Sequence, residues 1–251
     1  MYMKIIGISA AIAAVTIGAH AMGLVNLKSV PKDLGLSDEI EQRYVVIASD
    51  ITAGREGELK KDFETVQRLV NKACLGDKIE VFLIHSRAES QQEAIFSVEM
   101  PLEPGPMGMG LTRAKKTAGQ SFANRWDKSV NALLKDSRLV QRTDLFGFFR
   151  FVSQRQELRK SKKPVLILLT DGQQVGDGFN FERAIPKVYD LKKIRDDDLM
   201  ADLDGISITM AGVTPTHEIS NSHWRKLQSW WRQYLKEAGA EIASISSERN
   251  I

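Results

Sequence analysis

Two aspartates in this chain stand where an apolar run gives way to a turn. Asp50 follows the run Tyr44 to Ser49 and is followed by Thr52, Gly54 and Gly57. Asp171 follows the run Pro164 to Thr170 and is followed by Gly172. Between them, Thr143 and Asp144 immediately precede the apolar segment that starts at Leu145. Two carboxylates brought within a few ångströms repel each other, and a cation between them removes the repulsion. Carboxylate and hydroxyl oxygens select a hard ion, Mg2+ or Mn2+, over zinc. Two side-chain charges neutralise a divalent ion and leave coordination positions for water and for an incoming acidic group.

The elements around these residues must bring them together. Tyr44 to Ser49 is a continuous apolar, β-branched run, as expected of a strand buried on both faces of a parallel sheet. Glu58 to Leu75 carries an apolar stripe at three-four spacing and reads as a helix stopped by Gly76, with Cys74 on its buried face. Lys78 to His85 is a second strand, and strand, helix, strand makes a βαβ unit. Ala94 to Val98 is a short third strand, antiparallel to the rest. The 99–119 segment is rich in Pro, Gly and Met and reads as a loop, either a plain connection or an adaptable partner-binding surface. Ser121 to Lys135 is a helix. Thr143 or Asp144 is placed to cap another, from Leu145 to about Leu158, that is apolar nearly all round. The stretch 155–163 is basic and expected at the surface. Pro164 to Thr170 and Ile206 to Val213 are further strands, Ser222 to Ala238 a helix with Trp230 and Trp231 on its core stripe, and Ala240 to Ile245 a last strand. The 173–205 segment has no clear pattern. This alternation predicts an α/β fold with a doubly wound, mostly parallel sheet flanked by helices. In such sheets the ligand crevice lies at the C-terminal strand ends, where Asp50, Thr52, Thr143 and Asp171 would all fall.

Bulk properties exclude several classes. The 251 residues carry 35 basic and 32 acidic side chains, a net charge of +3, too even to indicate a nucleic-acid surface. A single cysteine, Cys74, forbids an internal disulfide. There is no phosphate-binding Gly-rich loop with its Lys, and His217 and His223 lack zinc-protease spacing. The acidic cluster Asp196, Asp197, Asp198, Asp202 and Asp204 lacks calcium-loop spacing and reads as a solvated face. At the N-terminus, Lys4 precedes an apolar run from Ile5 to Gly18, and Ala19-His20-Ala21 follows. This is the pattern of a secretory signal peptide (residues 1–21, cleaved after Ala21), followed by a lead-in (22–43) and one domain (44–251). A periplasmic or secreted protein is expected. The alternative is an uncleaved N-terminal membrane anchor, the one membrane contact the sequence suggests.

The order of motifs resembles a von Willebrand factor A domain. D-x-T-x-G after the first strand, T-D-L-F-G-F-F opening a helix and L-L-T-D-G after a buried strand stand where that family carries its metal-ion-dependent adhesion site. The resemblance covers roughly residues 44–245. It implies that Asp50 and Thr52 match the D-x-S pair, Thr143 the isolated Thr and Asp171 the distal Asp, with Asp144 supporting them. Gly54 stands where the family has a second Ser, so one hydroxyl is missing and metal binding is expected to be weakened. What the resemblance implies is a non-enzymatic module. It would hold Mg2+ or Mn2+ and capture a carboxylate of a protein partner, within a bacterial envelope or transfer assembly. Two alternatives stand beside it: a Mg2+-dependent phosphoester hydrolase using Asp50 as nucleophile, and a metal-free structural subunit. The hydrolase would need a general acid two residues after Asp50, where this chain has Thr52.

Overall fold

The computed structural model describes residues 42–52, 55–88, 93–187, 191–213, 221–249 and 251. The expected signal segment, nearly all of the lead-in, Gly54 and His217 lie outside the described residues.

Strand β1 (Arg43–Asp50) is the hub. It pairs in parallel with β2 (Lys78–Ile84) on one side and with β4 (Lys163–Leu169) on the other. Beyond β4 come β7 (Ser207–Ala211) and β8 (Glu241–Ser246), also parallel, with a register irregularity between Ile208 and Thr209. β3 (Phe96–Glu99) closes the other edge, antiparallel to β2 as expected. The order is β3-β2-β1-β4-β7-β8. The chain runs outward from β1 in one direction and then back past it in the other, so the topological switch lies between β1 and β4. That is where a crevice opens at the C-terminal ends of the strands.

The two-residue alternation of β1 sorts its side chains between two cores. Tyr44, Val46 and Ala48 face one layer, packed with Leu166, Leu168 and Met210 against α4 (Leu145–Ser153) and α7 (Asn221–Glu237). Val45 and Ile47 face the other, with Val81, Leu83, Ile167 and Leu169, against α1 (Glu56–Asn71) and α2 (Met109–Leu134). The result is the doubly wound, three-layer α/β sandwich that the pattern predicts. On α7, Leu227, Trp230, Trp231, Tyr234 and Leu235 are all buried. Each such side chain contributes about 1.5–3 kcal/mol of burial energy, so the tryptophans are core, as their spacing requires.

Several local expectations need correction. The 99–119 segment is not a loop throughout: a 3-10 turn (Pro106–Gly108) leads into α2 at Met109, twelve residues before the expected start. The physical reason is a stripe that spans the proposed boundary. Leu111, Ala114 and Ala118 extend the row Phe122, Trp126, Val130 and Leu133, all packed into one core. Helix α1 ends at Asn71, and Cys74 is exposed in the following turn rather than buried on a helix. The buried Asp77 carboxylate organises that turn, accepting from the Cys74 amide at 2.6 Å and from the Arg43 guanidinium. The helix from Leu145 stops at Ser153, and a short α5 (Gln156–Lys160) follows. Arg155, between them, is not a surface residue: it pairs with buried Glu80 and lies over the rings of Phe82 and Phe151. The 173–205 segment contains a two-stranded hairpin, β5 (Val175–Gly176) and β6 (Phe179–Asn180), and the short α6 (Leu191–Asp196). Asp196, Asp197, Asp198, Asp202 and Asp204 are exposed, as expected of a solvated face. A four-residue α3 (Ser137–Val140) completes the elements. Among the described residues, no helix is long and apolar enough to cross a membrane.

Candidate metal centre

Strand parity places the first carboxylate. Asp50 continues the row Tyr44, Val46, Ala48, so it leaves the sheet on the α4 side. Ser49 pairs with Leu169 across the β1–β4 ladder, which sets Asp50 beside Thr170. The Thr170 hydroxyl donates to Asp50 Oδ2 at 2.9 Å. Asp50 Oδ1 accepts from the Thr52 amide at 3.1 Å and from the Thr52 hydroxyl at 2.7 Å. Thr143 completes the cluster, its hydroxyl 2.8 Å from that of Thr52 and 3.5 Å from Asp50 Oδ2. Asp50 is fully buried, and Thr52 and Thr143 nearly so.

Two devices hold Thr143 in place. Asp144 is the N-cap of α4, its Oδ1 accepting from the Gly147 amide at 2.8 Å. Gln174, from the loop after β4, accepts from the Leu145 amide at 2.7 Å. The Val175 amide donates to the Thr143 carbonyl at 3.0 Å. The loop carrying Asp171 and the helix start carrying Thr143 are therefore one hydrogen-bonded unit. Asp144 supports the site through the helix it caps.

Asp171 reaches the same place from the end of β4. Its Oδ1 accepts from the Gln173 amide at 2.9 Å. The turn at Gly172 needs a left-handed residue (φ +81°), and a Cβ there would press on the Trp231 indole. Burial first, and the charge of Asp50 second, push the Asp171 carboxyl up to about 6. Its folded value lies above the ordinary 3.8, so the folded protein holds a proton that the unfolded chain releases between about pH 4 and 6. The resulting cost to stability is absent below that window and complete above it. Asp171→Asn is therefore expected to stabilise the metal-free protein by about 1–3 kcal/mol near pH 7.5, with the gain vanishing near pH 3. Urea unfolding at the two pH values checks this; a loss of stability near pH 7.5 contradicts it.

Hydrogen bonds thus gather Asp50, Thr52 and Thr143, Asp171 lies near enough for the charge of Asp50 to act on it, and the structure adds residues that the sequence pattern does not reveal. Thr170 is one. A second is Arg55, only 4% exposed, whose Nη1 lies 3.9 Å from Asp50 Oδ2 and whose Nη2 lies 2.9 Å from Asp62 Oδ2. Arg55 Nε and Nη1 have no hydrogen-bond partner among the described residues. Burial opposes the guanidinium charge, but Asp50, Asp62, Asp171 and Glu58 together hold its pKa above the ordinary value. Asp62, on α1, also accepts from the Ser49 hydroxyl at 2.9 Å and from Arg249 Nε at 2.6 Å. Burial pushes its carboxyl up, and the two guanidinium groups oppose that rise. Arg249 comes from the C-terminal tail and lies across Gly212 (φ +90°), where any Cβ would clash with it. Sequence gave one usable hint of this second layer: Ser49 lies on the opposite face from Asp50, so it must look toward α1.

The donor set suits a hard divalent ion, with two carboxylates, three threonine hydroxyls and no sulfur or imidazole. The Asp171 carboxyl, raised first by burial and then by the charge of Asp50, belongs to a pair of carboxylates short of positive charge. What does not match a simple divalent site is Arg55, which already places one positive charge at its edge.

A doubly wound sheet in the order described, with an antiparallel edge strand and this oxygen cluster at the switch point, is a von Willebrand factor A-like fold. No family model matches the sequence, and no curated protein matches it. Solved structures do superpose in part. Proximal thread matrix protein 1 from the mussel byssus overlays 83% of this chain and 42% of its own, at 13% identity and a TM-score of 0.41. The pilus adhesin SpaC of Lactobacillus rhamnosus GG overlays 84% of this chain and 29% of its own, at 12% identity and a TM-score of 0.43. A von Willebrand factor type A protein from Catenulispora acidiphila overlays 83% of this chain and 39% of its own, at 12% identity and a TM-score of 0.42. The chain spans less than half the length of each. The fold assignment stands on this chain's own strand order and register.

Proposed function

We propose that this chain is an exported protein-binding module whose recognition site is the Asp50 cluster at the C-terminal edge of the sheet. The observation that carries the reading is the hydrogen-bonded gathering of Asp50, Thr52, Thr143 and Thr170, with Asp171 next along the chain. Hydrogen bonds there link residues 91 to 120 positions apart. Ordinary turns do not need such a gathering of oxygens. Asp50, Asp171, Thr52 and Thr143 would hold Mg2+ or Mn2+, directly or through water. A bound ion supplies a positive charge and an open coordination position suited to a carboxylate on a protein partner. The chain's own residues do the positioning: Thr170 and the Thr52 amide fix the rotamer of Asp50, and Gln174 and Asp144 fix Thr143. The N-terminal sequence supports placement in a periplasmic or extracellular assembly. The hydrolase alternative fares worse. Both Asp50 oxygens already accept hydrogen bonds, and the residue where the acid would be needed, Thr52, donates one of them.

Immobilised protein is expected to retain its partner in Mg2+ or Mn2+, to release it in chelator and to recover it on metal readdition. Asp50→Ala combined with Asp171→Ala is expected to lose at least about tenfold in retention, the usual scale for losing metal ligands or their support. Retention unchanged in chelator and in the folded double variant, with no heat of Mg2+ or Mn2+ binding in calorimetry, removes the metal from the reading.

A further inference from the structure

The charge arrangement around Asp50 differs from that of a site waiting for a divalent ion. Three carboxylates, Asp50, Asp62 and Asp171, surround one buried guanidinium. Among the described residues, Arg55 makes a full hydrogen bond only to Asp62, at 2.9 Å, while its Nη1 stands 3.9 Å from Asp50. Two of its nitrogens, Nε and Nη1, are buried without hydrogen-bond partners among the described residues, a costly state for a charged group unless charge attraction offsets it. The guanidinium is therefore held on one side by its hydrogen bond to Asp62 and on the side facing Asp50 by the field of the carboxylates. Arg249 takes the other oxygen of Asp62, so Asp62 cannot neutralise Arg55 alone, and the remaining attraction is directed at Asp50 and Asp171.

We propose that Arg55 is the resident cation of this site, partly standing in for a divalent ion and setting how tightly one can bind. The inference rests on the metal-site reading above and deepens it. Two positive centres cannot share Asp50 cheaply: unit charges about 4 Å apart interact by several kcal/mol at the effective dielectric of a protein interior. A divalent ion entering among Asp50, Thr52, Thr143 and Asp171 must work against the Arg55 charge. A buried arginine makes the site weak for Mg2+ and Mn2+ and leaves the cluster stable without either. Removing the charge reverses both properties. Affinity for the divalent ion rises, while the metal-free protein loses stability because Asp50 and Asp171 lose their counter-charge.

The test uses the full chain as wild type, Arg55→Gln, Asp50→Asn and the Arg55→Gln/Asp50→Asn pair, with Mn2+ alone as the probe. Calorimetric Mn2+ titration is expected to show Arg55→Gln binding at least about tenfold more tightly than wild type, the double variant losing that gain. Arg55→Gln binding within twofold of wild type, or more weakly, overturns the inference while leaving the metal site in place. If no protein binds Mn2+, the metal reading fails, and the inference is decided by chelator-treated unfolding. A destabilisation by Arg55→Gln that Asp50→Asn largely relieves supports a resident cation. Additive effects of the two substitutions overturn it.

Discussion

Asp62→Asn is expected to destabilise the fold by about 3–5 kcal/mol, the scale for removing one partner of a buried ion pair. The carboxylate is fully buried and joins three elements: Ser49 on β1, Arg55 at the entry to α1 and Arg249 in the C-terminal tail. Asparagine keeps the size but not the charge. It leaves two guanidinium groups close together, one of them 4% exposed and unable to turn to water. Arg249 is less enclosed and retains Glu58 at 2.8 Å, so most of the cost falls on Arg55. Equilibrium unfolding in urea measures the loss. A second substitution, Arg55→Met, is expected to recover a large part of it, because the stranded charge is then gone. A loss under about 1 kcal/mol, typical of exposed pairs, contradicts this account of the network.

Trp231→Ala is expected to cost about 3–5 kcal/mol, the range for large-to-small changes in a packed core. The indole is fully buried among Phe146, Phe149, Phe181, Trp230 and Tyr234. Its Nε1 donates to the Gly172 carbonyl at 2.8 Å, the turn that presents Asp171. The substitution therefore opens a cavity and leaves a buried carbonyl unpaired. Trp231→Phe separates the two contributions: it keeps most of the ring volume and loses the hydrogen bond, for about 1–3 kcal/mol. Thermal and urea unfolding of both variants give the comparison. Equal costs for Ala and Phe would show that the hydrogen bond to Gly172, and not the packing, dominates.

The parts of this structure that were legible in the sequence are those where one physical requirement acts alone. The runs at Tyr44 and Pro164 are apolar because both faces are covered, and the stripe on α7 repeats because one face is. Asp50, Thr52, Thr143 and Asp171 could be placed because strand ends and a helix start leave little freedom. Where two requirements compete, pattern reading failed. Glycine and proline around Gly105 and Gly110 suggested a loop, yet the apolar row from Leu111 onward outweighs their low helix propensity. Cys74 follows the helical stripe but leaves the helix in a turn where its amide donates to the Asp77 carboxylate three residues on, which the apolar spacing does not reveal. Arg55 and Arg155 look like surface cations in the sequence. Arg55 is buried against Asp62 and Asp50, seven and five residues away, and Arg155 is half-buried against Glu80, 75 residues away. Thr170 was hidden for another reason: it counts as the last residue of an apolar strand until the β1–β4 register sets it beside Asp50.

The hydrogen bond between Thr170 and Asp50 joins the two central strands of the sheet across 120 residues of chain. No short stretch of the polypeptide can rebuild that contact, and no fraying terminus can release it. The cluster comes into being only when the middle of the sheet has closed, and it disappears only when the middle opens. A ligand that bound the closed cluster and not the unfolded chain would therefore stabilise the whole domain, acting as a clasp on the entire fold.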